Sequence, residues 1–302
     1  MTAHQGRSLE HILFEGKLSL GRPSLRAPGG NTLPAPPAEN EPLDAFVAWV
    51  LEQAALPASA YRAAPLHRRL PACLRAIKAD SAAHARRRIE RDPQLLTAAV
   101  NSLLIGVTEF FRDAGVLEAV RDFIVAELAP RPGPVRIWSA ACSNGAELYS
   151  MAILLAEAGL LDRCVLLGTD CRRDAICQSR EGLYDPSSLK GMSLELRRKY
   201  LRQDGLRWRV VESLRRNIQW RIRDVLAGVE DGPWDVILWR NAAIYLKAQS
   251  AAAVWQEMVT ELRAGGVLVS GRAERPPSPA GLRSINRCLY RLPREARQET
   301  KP

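Results

Sequence analysis

Residues 135–150, VRIWSAACSNGAELYS, decide how the chain is read. Val135 to Trp138 is an apolar, partly β-branched run with the composition of a buried strand. It gives way to small residues, turns through Ser143-Asn144-Gly145, and enters Tyr149-Ser150-Met151-Ala152-Ile153-Leu154-Leu155, which reads as a helix. Strand, tight small-residue turn and helix make the crevice at the carboxyl end of the first strand in an open α/β sheet. Gly145 supplies the backbone freedom that such a turn needs close to a ligand. The turn lacks G-x-G-x-x-G, so taken alone it fits an ordinary strand-to-helix connection equally well.

The next three apolar runs tip the balance. Val165 to Asp170 ends in an acid placed to accept both hydroxyls of a ribose. Ile218 to Ile222 alternates apolar and polar residues and leads to Asp224, and Trp234 to Trp239 is a further strand that ends in Arg240-Asn241. The strand ends bring Glu147, Asp170, Asp224 and Asn241 toward one edge. That arrangement is similar to the class I, Rossmann-like fold of S-adenosylmethionine-dependent methyltransferases.

Composition narrows the chemistry. Hydrophobic residues make up 47% of the 302, ordinary for a globular protein, and no apolar run approaches the ~20 residues of a membrane helix. The N-terminus has no apolar signal-peptide core, so a cytoplasmic location is expected. The six cysteines form no C-x-x-C, and no histidine comes after His84. Metal binding, Ser/His/Asp and Cys/His chemistry are therefore not expected in the α/β part, and the thiols read as buried and reduced. A net charge of +10 favours an acidic partner. Few aromatics accompany the basic stretches, which counts against single-stranded nucleic acid.

Along the chain, residues 1–40 are rich in Pro and Gly and read as a disordered leader. Residues 41–130 read as a small all-helical domain: Asp44 is a helix N-cap, and Phe46, Trp49 and Val50 fall at helical spacing. Arg68, Arg69, Arg75, Lys78, Arg86, Arg87, Arg88 and Arg91 make its helices strongly basic, which would also suit a solvated face. Residues 131–295 form the α/β domain, with an insertion at about 183–219 carrying its own small β element. A helix over Ala251–Leu262 is expected to end at Gly265-Gly266, with a strand next at Val267–Ser270 and a last strand at Cys288–Leu292. Residues 296–302 read as a flexible tail.

Five stretches in order carry a resemblance: Thr108-x-Phe110-Phe111-Arg112; RIWSAACSNGAELYS; T-D and then GLYDPSSLKG; WRNAAIYL; and AGGVLVSG. Together, over about residues 44–292, they resemble the chemotaxis receptor methyltransferases, the CheR-type protein-glutamate O-methyltransferases. The resemblance implies a mostly parallel sheet with an antiparallel last strand, a helical N-terminal domain and an inserted β-subdomain. It implies S-adenosylmethionine as cofactor, S-adenosylhomocysteine as product, and the glutamate methyl ester of a chemoreceptor-type signalling protein as the outcome. Carried over by position, Thr108 and Arg112 would meet the methionine end and the reaction site, Glu147 its ammonium, and Asp170 the ribose. Asp224 and Val225 would lie at the adenine, Asn241 and Ala242 would line the pocket, and Tyr245 would sit beside the transferred methyl. Arg112 and Tyr245 would be the catalytic pair. The partner would be a chemoreceptor or similar acidic coiled coil, met through Arg68, Arg69, Arg75, Arg86, Arg87 and Arg88.

Departures from the family pattern fall at Gly106 (Asn in the family), Ala146 (an acid), Leu148 (Pro), Asp224 (Asn) and Gly271-Arg272-Ala273-Glu274 (G-H-S-E). They leave open an alternative, a catalytically degenerate scaffold or sensor in a chemosensory-type pathway. A nucleic-acid methyltransferase is disfavoured, since Arg240-Asn241-Ala242-Ala243 stands where amino-methylating enzymes carry a Pro-Pro-Tyr-type tetrapeptide.

Overall fold

Apolar runs that stop at small or acidic residues become the strands of one mixed sheet. In the computed structural model, residues 44–104, 108–277 and 281–294 are described, all within one unit of residues 37–302. The expected leader and tail, and Gly106, lie outside the described residues. The strands are β1 (Val135–Ala140), β2 (Cys164–Asp170), β3 (Leu183–Tyr184), β4 (Leu201–Asp204), β5 (Arg207–Val210), β6 (Ile218–Ile222), β7 (Trp234–Trp239), β8 (Leu262–Ser270), β9 (Arg283–Ser284) and β10 (Leu289–Arg291).

Seven of them form a sheet in the order β6-β2-β1-β7-β8-β10-β9. β6, β2, β1, β7 and β8 run parallel, while β10 runs antiparallel to β8 and to β9. From β1 the chain winds outward through β2 to β6, then returns to β7 on β1's other side. The order reverses between β1 and β7, so a crevice opens beyond their carboxyl ends. This is the class I methyltransferase arrangement that the resemblance implied. The insertion forms its own antiparallel sheet, β3-β5-β4.

The helices are α1 (Ala45–Gln53), α2 (Ala63–His67), α3 (Leu70–Ala76), α4 (Ala82–Arg91), α5 (Leu95–Leu103), α6 (Ala114–Phe123), α7 (Ala146–Glu157), α8 (Arg173–Glu181), α9 (Leu194–Tyr200), α10 (Glu212–Arg215) and α11 (Ala248–Thr260). The Asp44 carboxylate caps α1 by accepting from the N–H groups of Phe46 and Val47. None of the described helices is long and apolar enough to cross a membrane.

Strand alternation sends neighbouring residues to opposite faces. Ile137, Leu166, Val236, Leu238, Val267 and Val269 meet α6 and α7 on one face. Trp138, Leu167, Ile237, Trp239 and Leu268 meet α1, α5 and α11 on the other. The helices that precede the sheet are thus shared between its faces. α1–α5 join the tryptophan-rich side, whereas Leu117, Val120 and Phe123 of α6 pack with α7. Burial of Cys73 and Cys164 pushes their thiols up to about 11 and about 12, so both stay protonated near neutral pH.

One boundary differs from expectation. The helix stops at Thr260, and Gly265-Gly266 lie inside β8 rather than ending α11. The β7–β8 register shifts between Trp234 and Val236. Gly265 has φ +80°, and a Cβ on Gly266 would come within 3.0 Å of the Asp235 carbonyl oxygen. The glycine pair that suggests a helix stop serves a strand irregularity instead.

The turn from β1 into α7 is more strained than one glycine suggests. Ala141, Ser143 and Gly145 all take positive φ (52°, 55° and 83°). A Cβ on Gly145 would meet the Trp220 ring at 2.6 Å and the Ser179 Oγ at 2.8 Å. Gly145→Ala should therefore cost roughly 2–4 kcal/mol, combining a positive-φ penalty with overpacking. Urea unfolding checks this, and a loss below about 1 kcal/mol would contradict the packing described.

Candidate active site

The crevice at the reversal point is a cleft of about 570 Å³, within the range that holds a cofactor-sized ligand. Thr108, Arg112, Glu147, Asp170, Asp224, Val225, Asn241, Ala242 and Tyr245 all line it. All nine residues singled out from the sequence therefore face one cavity, although they come from segments more than a hundred residues apart.

At one end of the cleft, Thr108 and Arg112 are placed by the two aromatics between them. Phe110 is buried edge-on to Tyr184, with ring centroids 4.9 Å apart, and Phe111 is buried while its N–H donates to Ser150 Oγ at 2.9 Å. The Glu147 carboxylate, in the first turn of α7, accepts from Ser139 Oγ (2.9 Å) at one oxygen and from an Arg240 guanidinium nitrogen (2.8 Å) at the other. Each oxygen keeps acceptor capacity for an ammonium group. Arg240, whose side chain is 1% exposed, also donates to the Asp113 carboxylate and the Arg112 carbonyl. Arg240 thus links the Glu147 and Asp113 carboxylates through one buried guanidinium.

At the tip of β2, Asp170 is 4% exposed and already densely bonded. One oxygen accepts from the Arg172 backbone N–H and Nε, both at 3.0 Å; the other accepts from Ser143 N–H at 2.8 Å and an Arg172 terminal nitrogen at 3.4 Å. A ribose can take two hydrogen bonds here when its hydroxyls replace the Arg172 side chain. Asp224 accepts from Leu226 N–H at 3.0 Å. Burial pushes the Asp224 carboxyl up; the Leu226 hydrogen bond opposes this and the Asp170 charge adds to it. Val225, Leu226, Leu104, Ala242 and Ile244 provide apolar wall suited to an adenine ring. The chemistry of the lining fits S-adenosylmethionine, since carboxylates, a guanidinium and an apolar wall share one cleft. Among the described residues, no group of His, Cys, Asp and Glu could hold a metal ion.

Asn241 and Tyr245 sit on a turn held by a residue to which the sequence assigns no role. The buried Glu274 carboxylate accepts from the N–H groups of Asn241 (2.6 Å), Gly271 (2.9 Å) and Ile244 (3.2 Å). Burial pushes this carboxyl up, while those backbone donors pull it down. Asn241 itself has φ +60°. A lone acid just beyond the small-residue end of β8, Ser270-Gly271, is the feature that marks Glu274 in the sequence. Arg172 and Tyr61 also line the cleft, and no sequence motif places them there; Arg240 lines it too, a residue of the WRNAAIYL stretch to which the sequence gives no role.

The departures from the family pattern fall in different surroundings. Ala146 and Leu148 are fully buried in the core between α6 and α7 and do not line the cleft. The Arg272 side chain is 67% exposed, 3.6 Å from the Asp113 carboxylate. Of the described departures, Asp224 alone faces the cavity.

In the basic helices, Arg68, Arg75, Arg86 and Arg87 are exposed, and the Arg86 guanidinium lies over the Trp49 ring, 4.9 Å from its centroid. Arg69 and Arg88 are half-buried, donating to the carbonyls of Ser102 and Lys78, and so help hold the helices together.

A family model described as CheR methyltransferase, SAM binding domain, matches residues 106–286. Chemotaxis protein methyltransferase 2 of Pseudomonas aeruginosa is 32% identical over 234 residues, covering 74% of this chain and 83% of that protein. Chemotaxis protein methyltransferase 1 of Vibrio cholerae is 32% identical over 192 residues, covering 61% and 70%. A chemotaxis protein methyltransferase of Listeria innocua is 28% identical over 205 residues, covering 67% and 78%.

Replacing Glu274 by Gln turns an amide NH₂ toward backbone donors and leaves at least one of them unsatisfied. Glu274→Gln is expected to lower stability by about 1–3 kcal/mol and to weaken S-adenosylhomocysteine binding as the Asn241–Tyr245 turn relaxes. Thermal unfolding and calorimetric titration of the same samples check both effects.

Proposed function

Because the chain belongs to the CheR methyltransferase family and carries its S-adenosylmethionine-binding domain, we propose that it methylates glutamate side chains of a chemoreceptor-type signalling protein in the cytoplasm. The observation that carries this reading is the convergence of Arg112, Glu147, Asp170, Asn241 and Tyr245 on one cleft at the strand reversal.

When bound, S-adenosylmethionine supplies an electrophilic methyl group on sulfur. A glutamate side chain, with an ordinary pKa near ~4.3, is already ionised near neutral pH and needs no general base. That suits a domain without histidine. The protein's work is to position the carboxylate in line with the methyl and to keep water out, so proximity supplies most of the rate. Glu147, Thr108 and Arg112 hold the methionine end, Asp170 the ribose, and Asp224 and Val225 the base. Arg112, a fixed planar donor, either steers the incoming carboxylate or balances the cofactor carboxylate, and the Tyr245 hydroxyl fixes geometry beside the methyl. The steering stays loose, since tight pairing would stabilise the nucleophile before reaction.

Calorimetry with S-adenosylhomocysteine on wild type and Asp170→Ala tests the cofactor placement. Wild type should bind and the variant lose at least about tenfold in affinity, the scale of hydrogen bonds to a charged group. Purified candidate receptor should then incorporate methyl groups, and Glu→Gln changes at its methylated positions should abolish incorporation. One observation favours the degenerate-scaffold reading: the Arg172 side chain occupies Asp170, the expected ribose acceptor. A folded wild type that binds no S-adenosylhomocysteine would select that reading.

The partner proposed is an acidic coiled coil that meets the exposed arginines of the helical region. Charge reversal of the exposed Arg75 and Arg87 should weaken receptor binding at least about fivefold at low salt, less at high salt, and leave cofactor affinity within twofold of wild type. Pull-down at two ionic strengths, with calorimetry alongside, checks it.

A further inference from the structure

The cofactor cleft has a wall supplied from well outside the family match at 106–286. Tyr61 comes directly after a short turn at Ala58–Ala60, is 6% exposed, and lines the cleft with Cys171, Asp170, Asp224 and Leu104. Its backbone is fixed by an antiparallel bridge between Tyr61 and Leu246. Arg62 N–H donates to the Tyr245 carbonyl at 2.9 Å, and Lys247 N–H donates to the Ala60 carbonyl at 2.8 Å. The two tyrosines of the cleft therefore hang from the two sides of one bridge, and neither can move far without the other.

The surroundings of Tyr61 differ from those of an ordinary core aromatic. Burial, together with the negative charges of Asp224 and Asp170, pushes the phenol far up, so its hydroxyl keeps its proton. A hydroxyl held among carboxylates, on a ring that faces a cavity with apolar wall at Val225 and Leu226, presents both a flat face and a hydrogen-bonding group. Those are the two kinds of contact that a nucleoside uses.

Resting on the proposed cofactor placement, we propose that Tyr61 contacts the nucleoside half of S-adenosylmethionine, closing the cleft with its ring and hydrogen-bonding the nucleoside through its hydroxyl. The methionine half lies toward Glu147 and Arg112, away from this residue. The helical region that precedes the methyltransferase domain then completes the cofactor site.

The test uses the full chain, two probes and two variants. Affinities for S-adenosylhomocysteine and for 5′-methylthioadenosine, which lacks the amino-acid end, are measured for wild type, Tyr61→Phe and Tyr61→Ala, with thermal unfolding of each. Tyr61→Phe should weaken both ligands about threefold and Tyr61→Ala about tenfold, the two probes losing equal factors within each variant. Wild-type affinity for both probes in Tyr61→Ala, or a loss for S-adenosylhomocysteine alone, would overturn the contact. Should Tyr61→Ala not fold, Tyr61→Phe decides, since it keeps the ring and removes only the hydroxyl. A wild type that binds neither probe would overturn the cofactor placement itself, and with it the contact.

Discussion

A single buried guanidinium ties three parts of the crevice together. Arg240, at the end of β7, reaches Glu147 at the start of α7, and Asp113 and the Arg112 carbonyl ahead of α6. A charge removed from water is tolerated only while it stays paired, so none of these segments can drift without exposing a large energetic penalty. The same pairing sets the field of the site. The Glu147 carboxylate, held by Arg240 and Ser139, is in place at its end of the cleft before any ligand arrives.

Backbone strain maps onto the same region. Among the described residues, seven other than glycine take positive φ, and Phe111, Asp113, Ala141, Ser143 and Asn241 are five of them, all flanking the crevice. Side-chain acceptors clamp three of these through their N–H groups: Phe111 by Ser150, Ser143 by Asp170, and Asn241 by Glu274. Unusual backbone persists where surrounding bonds over-determine it. Here the clamps are the acid at the tip of β2, a serine of α7 and a buried glutamate, so the strain is supported by side chains at or beside the cleft.

The sheet is legible in the sequence because its strands announce themselves locally. Val135–Trp138, Val165–Leu167 and Trp234–Leu238 are apolar runs ending where the chain turns, and the polar residues that follow them, Asp170 and Asn241 among them, carry the crevice with them. The features without a local signal are the long-range ones. Tyr61 meets Leu246 across most of the chain, and no local period marks it. Glu274 is marked locally only as a lone acid after Ser270-Gly271; its partners are backbone N–H groups, which any sequence supplies, so its clamping role has no signal. Arg172 beside Asp170 is one more arginine in a chain with many basic residues. Gly265-Gly266 misleads because a glycine pair serves a helix end and a strand bulge equally well.

The face of the sheet beneath α1 and α5 carries Trp138, Trp239 and Leu268, with Trp255 of α11 beside them. Those rings are covered in part by Phe46, Val50, Leu51, Val100 and Leu103 from the helices that precede the matched domain. A fragment trimmed to residues 106–286 would leave that aromatic surface to water, a contiguous apolar patch of the kind that drives self-association. The domain boundary that similarity draws along the sequence is therefore not a boundary in the packing, and the methyltransferase unit keeps its aromatic face dry only in the company of its leading helices.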